Sequence, residues 1–207
     1  MNNSNVSFTS KIVFIDGKTF FKNKNKGQYI GYTHTEPNML KCPNFHSEAI
    51  RTCTGGGIVN DGKKEALGFH FWDDKTNKKN FIDIVVKLFR WMPEGNRGIL
   101  IGSKDLKGND YSVEQFQRFK EVFLRRLDAV TLFEKHKNQS SETNYQYSKD
   151  TDTWTLATSY VDKNGKYKYI KTIKDLREAY ENIKIADGDT LILNNKVVTP
   201  KDAPDFF

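Results

Sequence analysis

The feature that most constrains the fold is the run over residues 51–73, where three consecutive glycines, Gly55, Gly56 and Gly57, precede Asn60-Asp61-Gly62-Lys63. Asp-Gly tolerates the positive φ that a tight primed turn demands at its two central positions, so the segment reads as a β-hairpin centred on Asp61-Gly62. Counting outward from that turn pairs Val59 with Lys64, Gly57 with Ala66, Gly55 with Gly68 and Cys53 with His70. Directly opposed residues of an antiparallel pair share a face with Cβ atoms about 4.5–5.5 Å apart, near enough for a thiol to meet an imidazole nitrogen. The expectation is a Cys53–His70 pair on neighbouring strands. It depends on register, because a bulge among the glycines would shift the two onto opposite faces. The glycines themselves have two readings: a bare backbone that a substrate chain and an oxyanion can approach, or a flexible turn.

A chain of 207 residues can bury one sizeable core. It is read as a single domain over residues 11–200, with a flexible N-terminus at 1–10 and a loose tail at 201–207. No apolar run is long enough to span a bilayer, and residues 1–10 (MNNSNVSFTS) lack the apolar centre of a secretory signal. The expectation is therefore no membrane association and no Sec signal, with work done in the cytoplasm or inside a host cell. The two cysteines, Cys42 and Cys53, are then expected to be thiols. The formal charge of +7 is spread over short clusters such as Lys22-Asn23-Lys24-Asn25-Lys26 rather than along a basic, aromatic stripe. That pattern reads as a solvated basic surface suited to an acidic protein partner, argues against nucleic acid, and goes with a monomer.

Along the chain, residues 11–15, a turn at Asp16-Gly17-Lys18, residues 19–21 and residues 28–33 read as an opening meander. Residues 36–46 read as an irregular connection. Phe81, Ile84, Val85, Leu88 and Trp91 give residues 78–92 a helical period, stopped by Pro93. Residues 98–102 form a short strand bounded by glycines. Ser112-Val113-Glu114-Gln115 is a capping-box pattern opening a helix with a Phe116, Phe119, Phe123 and Leu127 stripe. Strand 129–133 follows, then a loop over 135–144 holding an exposed His136. Strand 154–160 returns through a turn into 167–170; a helix capped by Thr172 covers 173–183; and 190–193 with Asn194-Asn195 makes a last hairpin. This order predicts an α+β sandwich with a mixed β-sheet and packed helices.

A histidine beside a cysteine favours the thiolate, which is the reactive species; a small buried Cys next to a core His is the plainer alternative. Ser47, Thr52 and Thr54 are the nearby hydroxyls, Ser47 lying six residues before Cys53. In a regular strand Thr52 and Thr54 point away from the Cys53 side. Cys42, His46, Cys53 and His70 also fall within one short region and would suit a tetrahedral zinc site, although their spacing matches no common finger.

From residue 47 to residue 133 the order of elements resembles the CheD-type glutamine deamidases and the related bacterial deamidating toxins of the cytotoxic-necrotizing-factor and lethal-factor type. The likeness rests on Thr52-Cys53, the glycine-rich strand and turn, and Gly68-Phe69-His70-Phe71. It continues with the amphipathic helix, the short strand ending in Gly102 and the helix over residues 112–127. The resemblance implies Cys53 as nucleophile and His70 as its acid and base, with Ser47 standing where the family usually has a threonine. It places Thr52, Thr54 and Gly55 around the oxyanion and the approaching substrate. The implied reaction is a hydrolase's: a protein's exposed glutamine side chain becomes glutamate through a Cys thioester, without cofactor or metal, in a chemotaxis enzyme or a bacterial effector or toxin. The family's glycine-glycine-alanine signature is reduced here to Ile101-Gly102-Ser103, and residues after 144 have no counterpart. The alternative from another class is a binding module whose basic surface docks an acidic partner and whose Cys53 is structural.

Overall fold

The computed structural model describes residues 10–24, 26–31, 38–61, 66–72, 85–88, 90, 97–102, 110–136 and 140–207. Two mixed sheets carry the fold. The first has the order β14-β13-β1-β10-β9-β4-β2, with β11 also paired to β10. Its strands are β1 (Lys11–Phe14), β2 (Gln28–Ile30), β4 (Asn44–Ile50), β9 (Ser141–Ser148), β10 (Thr153–Val161), β11 (Tyr167–Tyr169), β13 (Thr190–Leu193) and β14 (Lys196–Val198). The second runs β12-β8-β7-β5-β6-β3, built from β3 (Asn38–Cys42), β5 (Thr54–Val59), β6 (Ala66–Phe71), β7 (Arg97–Gly102), β8 (Ala129–Lys135) and β12 (Tyr180–Lys184). Pairings β1–β10, β1–β13, β2–β4 and β7–β8 are parallel.

Alternation along the strands sorts the apolar side chains into two layers. Phe14, Phe45, Tyr145, Tyr147, Trp154, Ile99, Ile101 and Phe133 fill the space between the sheets. The far face of the second sheet, through Ile58, Phe69, Leu100 and Leu132, packs on helix α2 (Asp110–Arg126) by way of Phe116, Phe119, Phe123 and Leu127. The helical stripe read from the sequence is thus a core stripe, and the fold is mixed α and β with sheets that are themselves mixed. Among the described residues no helix is long and apolar enough to cross a membrane.

Several local expectations give way to competing physics. Residues 17–23 form helix α1 (Gly17–Asn23), not a turn and strand, because Asp16 accepts from the Thr19 amide at 2.9 Å and the Thr19 hydroxyl at 2.8 Å as an N-cap. The opening meander is therefore absent, and β1 instead lies parallel between β10 and β13. The connection over 36–46 contains β3 and most of the entry to β4. α2 begins at Asp110, so Ser112 lies inside the helix rather than capping it. β8 runs to Lys135 and β9 starts at Ser141, which shortens the expected loop; His136 Nε2 sits 2.9 Å from the Arg177 carbonyl. Helix α3 (Ile173–Ala179) keeps its Thr172 capping box but stops where Tyr180 turns extended to pair β12 with β8. The tail is packed, not loose: Phe206 is buried, its carbonyl accepts from the Ile185 amide at 2.6 Å, and Asp205 pairs with Arg177. Of the helix expected over 78–92, residues 85–88 and 90 are helical and the rest lies outside the described residues.

Candidate functional site

The chain passes from the first sheet to the second between β4 and β5, and the candidate residues gather at that crossing. The β4–β9 register shifts between Ser47 and Ile50, and Ala49 adopts φ 60°. A left-handed conformation costs an L-residue about 1–2 kcal/mol. Here the Ala49 amide donates to Asn144 Oδ1 at 3.0 Å, which holds the kink in place. Arg51, Thr52 and Cys53 then form a bend that enters β5 at Thr54.

The β5–β6 register differs from the expected one by two residues. Gly55, not Cys53, lies opposite His70, and Gly57 lies opposite Gly68; of the expected Asp61-Gly62 turn, Gly62 lies outside the described residues. Side chains alternate with period two, so a shift of two keeps the face. Cys53 remains in the layer between the sheets, 5% exposed, and His70 reaches into the same layer, 0% exposed. Cys53 therefore sits in the bend one residue before β5, and continuing the register makes it the diagonal rather than the opposed neighbour of His70.

The glycines serve packing. A Cβ on Gly55 would meet Ile50 Cδ1 at 2.7 Å and Tyr145 Cε1 at 3.1 Å; one on Gly57 would meet Trp154 Cη2 at 2.8 Å; one on Gly68 would meet Phe45 Cε2 at 2.5 Å. These positions give way to aromatic rings from the opposite sheet, so the side of Gly55 that was expected to admit a substrate is occupied by Ile50 and Tyr145. Thr54, one step along the strand, belongs to the opposite face, buried opposite Phe71 and Gly102. Thr52 is half-buried in the bend.

Ser47 and His70 are brought together. The Ser47 hydroxyl lies 2.7 Å from the Ile30 carbonyl and 2.9 Å from His70 Nδ1. A hydroxyl has one proton and a carbonyl can only accept, so Ser47 donates to Ile30 and accepts from Nδ1–H. That fixes the neutral tautomer of His70 with its lone pair on Nε2. Burial, helped by the nearby Lys135 charge, pulls His70 down to about 3, so the ring is neutral near pH 7. The Tyr145 hydroxyl donates to the Phe69 carbonyl at 2.6 Å and lies 3.2 Å from that of Gly56.

The buried cation whose charge is coupled to Cys53 is a lysine, not the expected imidazolium. Lys135, the last residue of β8, is 1% exposed and points its nitrogen at the Ile50 and Ser141 carbonyls. Burial pulls it down to about 7, and Cys53 is the leading charge acting in the other direction. The polar sequence after Phe133 reads Lys135 as part of a loop. The signal that would have found it is phase: Thr131, Phe133 and Lys135 share one side of a strand whose other members at that spacing are buried.

No protein-family model and no curated protein matches the chain.

The zinc alternative finds no support in the geometry. Cys42 donates to the Asn44 carbonyl at 3.1 Å, His46 lies against Tyr29 with ring centroids 5.4 Å apart, and no three metal-binding side chains cluster among the described residues.

Proposed function

We propose that the protein hydrolyses the side-chain carboxamide of a glutamine in a partner protein, with Cys53 as nucleophile, His70 as acid and base, and Ser47 as the group that orients His70. The observation that carries this reading is the hydrogen bond from His70 Nδ1–H to a Ser47 hydroxyl already committed to Ile30, which leaves Nε2 as a base of fixed tautomer. Cys53 ionises and its sulfur bonds to the carboxamide carbon while the carbonyl π electrons move to oxygen. The proton lost from sulfur passes through Nε2 to the departing nitrogen as the C–N bond breaks, releasing ammonia. His70 then takes a proton from water, the hydroxide bonds to the thioester carbon, and the C–S bond breaks to give glutamate and the thiolate. The resemblance to deamidating toxins is the ground for reading the protein as a bacterial effector, and the basic surface favours an acidic substrate protein.

A cell extract treated with the wild-type protein and searched by peptide mass spectrometry is expected to show glutamine-to-glutamate conversion at discrete sites. Cys53→Ala and His70→Gln should leave those sites unconverted; equal conversion by Cys53→Ala would sink the reading. Near-complete burial of Cys53 and His70 favours one competing reading, a non-catalytic binding module in which they are core residues. It predicts that Cys53→Ala keeps every activity and partner of the wild type.

A further inference from the structure

On the outer face of the first sheet, away from the candidate nucleophile, the fold assembles exposed rings, lysines and a pocket. Trp154, Leu156 and Tyr160 of β10 point into the layer between the sheets, so Ser159 and Val161 point outward. Their partners on β11, Tyr169 and Tyr167, share that outward face. The Tyr169 ring lies directly against Gly17 at the start of α1, where any Cβ would collide with it. Phe21, one helical turn beyond Gly17, falls on the same side of α1. Three rings therefore follow one another from helix to strand, and the outer two, Phe21 and Tyr167, are 50% and 75% exposed.

Lysines frame these rings. Lys18 and Lys22 are exposed on α1, Lys166 and Lys171 flank β11, and none of the four makes an ion pair among the described residues. Lys24 and Lys168, by contrast, are paired with Glu48 and Asp162. In the chain the four stand in two distant clusters, a spacing that argues against nucleic acid; the fold joins the clusters beside exposed rings. A pocket of about 220 Å³ opens next to Gly17 and Tyr169, where Asp16, Thr19, Asn194, Asn195 and Lys171 supply polar groups and Ile170 apolar surface. Asp16 is held below the usual carboxylate range by the Thr19 amide and hydroxyl, and each of its oxygens keeps acceptor capacity beyond those bonds. Such an anion repels phosphate, whereas the amino and ring N–H groups of an unpaired base donate to it, and asparagine amides match the mixed donors and acceptors of a base edge.

We propose that this face binds single-stranded nucleic acid: bases stack on Tyr167 and Phe21, phosphates meet Lys18, Lys22, Lys166 and Lys171, and one unpaired base enters the pocket, where Asp16, Asn194 and Asn195 read its edge. Rings that accept any base and lysines that track the backbone give affinity with little sequence preference, and the pocket adds the preference. A duplex has no free base to offer either element. An acidic protein segment would meet the lysines as well, but its carboxylates would be repelled at Asp16. The inference goes beyond the reading of Cys53 and does not depend on it.

The test is fluorescence anisotropy of fluorescein-labelled oligo(dT), oligo(dC) and oligo(dA), and of a duplex of the same length, titrated with the full chain over a range of KCl concentrations. Single strands are expected to bind about tenfold or more tightly than the duplex, with a salt slope of about −3 for four phosphates at about −0.7 each. Tyr167→Ala should weaken every single strand about tenfold and leave the slope unchanged. Lys166→Gln with Lys171→Gln should make the slope shallower by about 1.4. Asn195→Gly, which suits the positive φ at that turn position, should erase the preference among the three bases. A duplex bound as tightly as the single strands, or affinity indifferent to Tyr167→Ala, overturns the proposal, because scattered surface charge alone would behave that way. Displacement of the labelled strand by poly-L-glutamate as readily as by unlabelled oligonucleotide overturns it in favour of an acidic protein.

Discussion

Trp154 and His70 lie in the same layer between the two sheets, yet their surroundings follow opposite rules. Around Trp154 the rings of Tyr147 and Phe45 sit at centroid distances of 4.5 and 5.8 Å, over a floor made by Gly57 and Gly68. The only concession there is the missing side chain on the facing strands. Around His70 the layer holds Ser47, Tyr145 and Lys135, with Thr143, Thr158 and Tyr180 bonded to one another close by. Buried polar groups bring desolvation costs that well-packed apolar residues of similar volume avoid. A protein that packs aromatic rings over glycine a few residues away has an apolar solution at hand, so the polar region is where a requirement other than stability is acting.

The comparison breaks first at Trp154. Trp154→Ala should cost about 3–5 kcal/mol of unfolding free energy, the range for removing a large buried aromatic side chain. Denaturant unfolding measures it. If Ser47→Ala were to cost more than Trp154→Ala, the assignment of stability to the aromatic region would be wrong.

Next in size is the response to acid. His70 goes from 6.5 unfolded to about 3 folded, so between those values the unfolded chain binds more protons and stability falls as pH drops. The loss should begin near pH 6.5, be complete near pH 3, and amount to a few kcal/mol. Lys135, down from 10.5 to about 7, has the same sign in a higher window: stability rises with pH from about 7 to 10.5. Unfolding free energies measured across pH should lose the lower slope in His70→Gln and the upper one in Lys135→Met, while Trp154→Ala retains both. A smaller effect belongs to Ser47→Ala, which strands the Nδ1–H of a buried ring and should cost about 1–3 kcal/mol. Ser47→Thr, which keeps a hydroxyl, should recover most of it.

How much of this was readable in the chain follows from the range of each interaction. The α2 stripe, the strands read at residues 98–102 and 129–133 and the last hairpin, with Asn194 at φ 48° and Asn195 at φ 62°, are set by local periodicity and turn chemistry, and the sequence shows them to within two residues at their ends. The β5–β6 register is not local. Asp61-Gly62 offers a tight turn, but Gly57 and Gly68 must oppose each other so that Trp154 and Phe45 can close over them, and that demand comes from the other sheet. Asp16-Gly17 reads equally as a turn or as a helix N-cap, and Thr19 decides it only once its hydroxyl is seen on Asp16. The six-residue spacing from Ser47 to Cys53 gave no hint of the Ala49 kink, yet that kink is what carries the chain from one sheet to the other. Lys135 was hidden because a lysine at a strand end normally reaches solvent, and its phase with the buried Thr131 and Phe133 is the one sign against that.

The smallest expected effect asks whether every polar group in the region matters, or only those near Cys53. Thr143 Oγ1 lies 3.0 Å from Thr158 Oγ1 and 3.3 Å from the Tyr180 hydroxyl, which is itself 2.8 Å from Thr158. Burial pushes the Tyr180 hydroxyl up to about 12, so all three groups are neutral hydroxyls sharing protons among themselves. Thr143→Val preserves shape and leaves Thr158 and Tyr180 bonded to each other, so no donor is stranded and the cost should be about 1 kcal/mol or less. Thr143→Val with Thr158→Val removes both partners of the tyrosine and strands it, and should cost about 1–3 kcal/mol, more than the two single changes summed. Additive costs would mean that the hydroxyls act singly as ordinary core filling. Excess cost in the double variant would show a self-contained network that supports the fold.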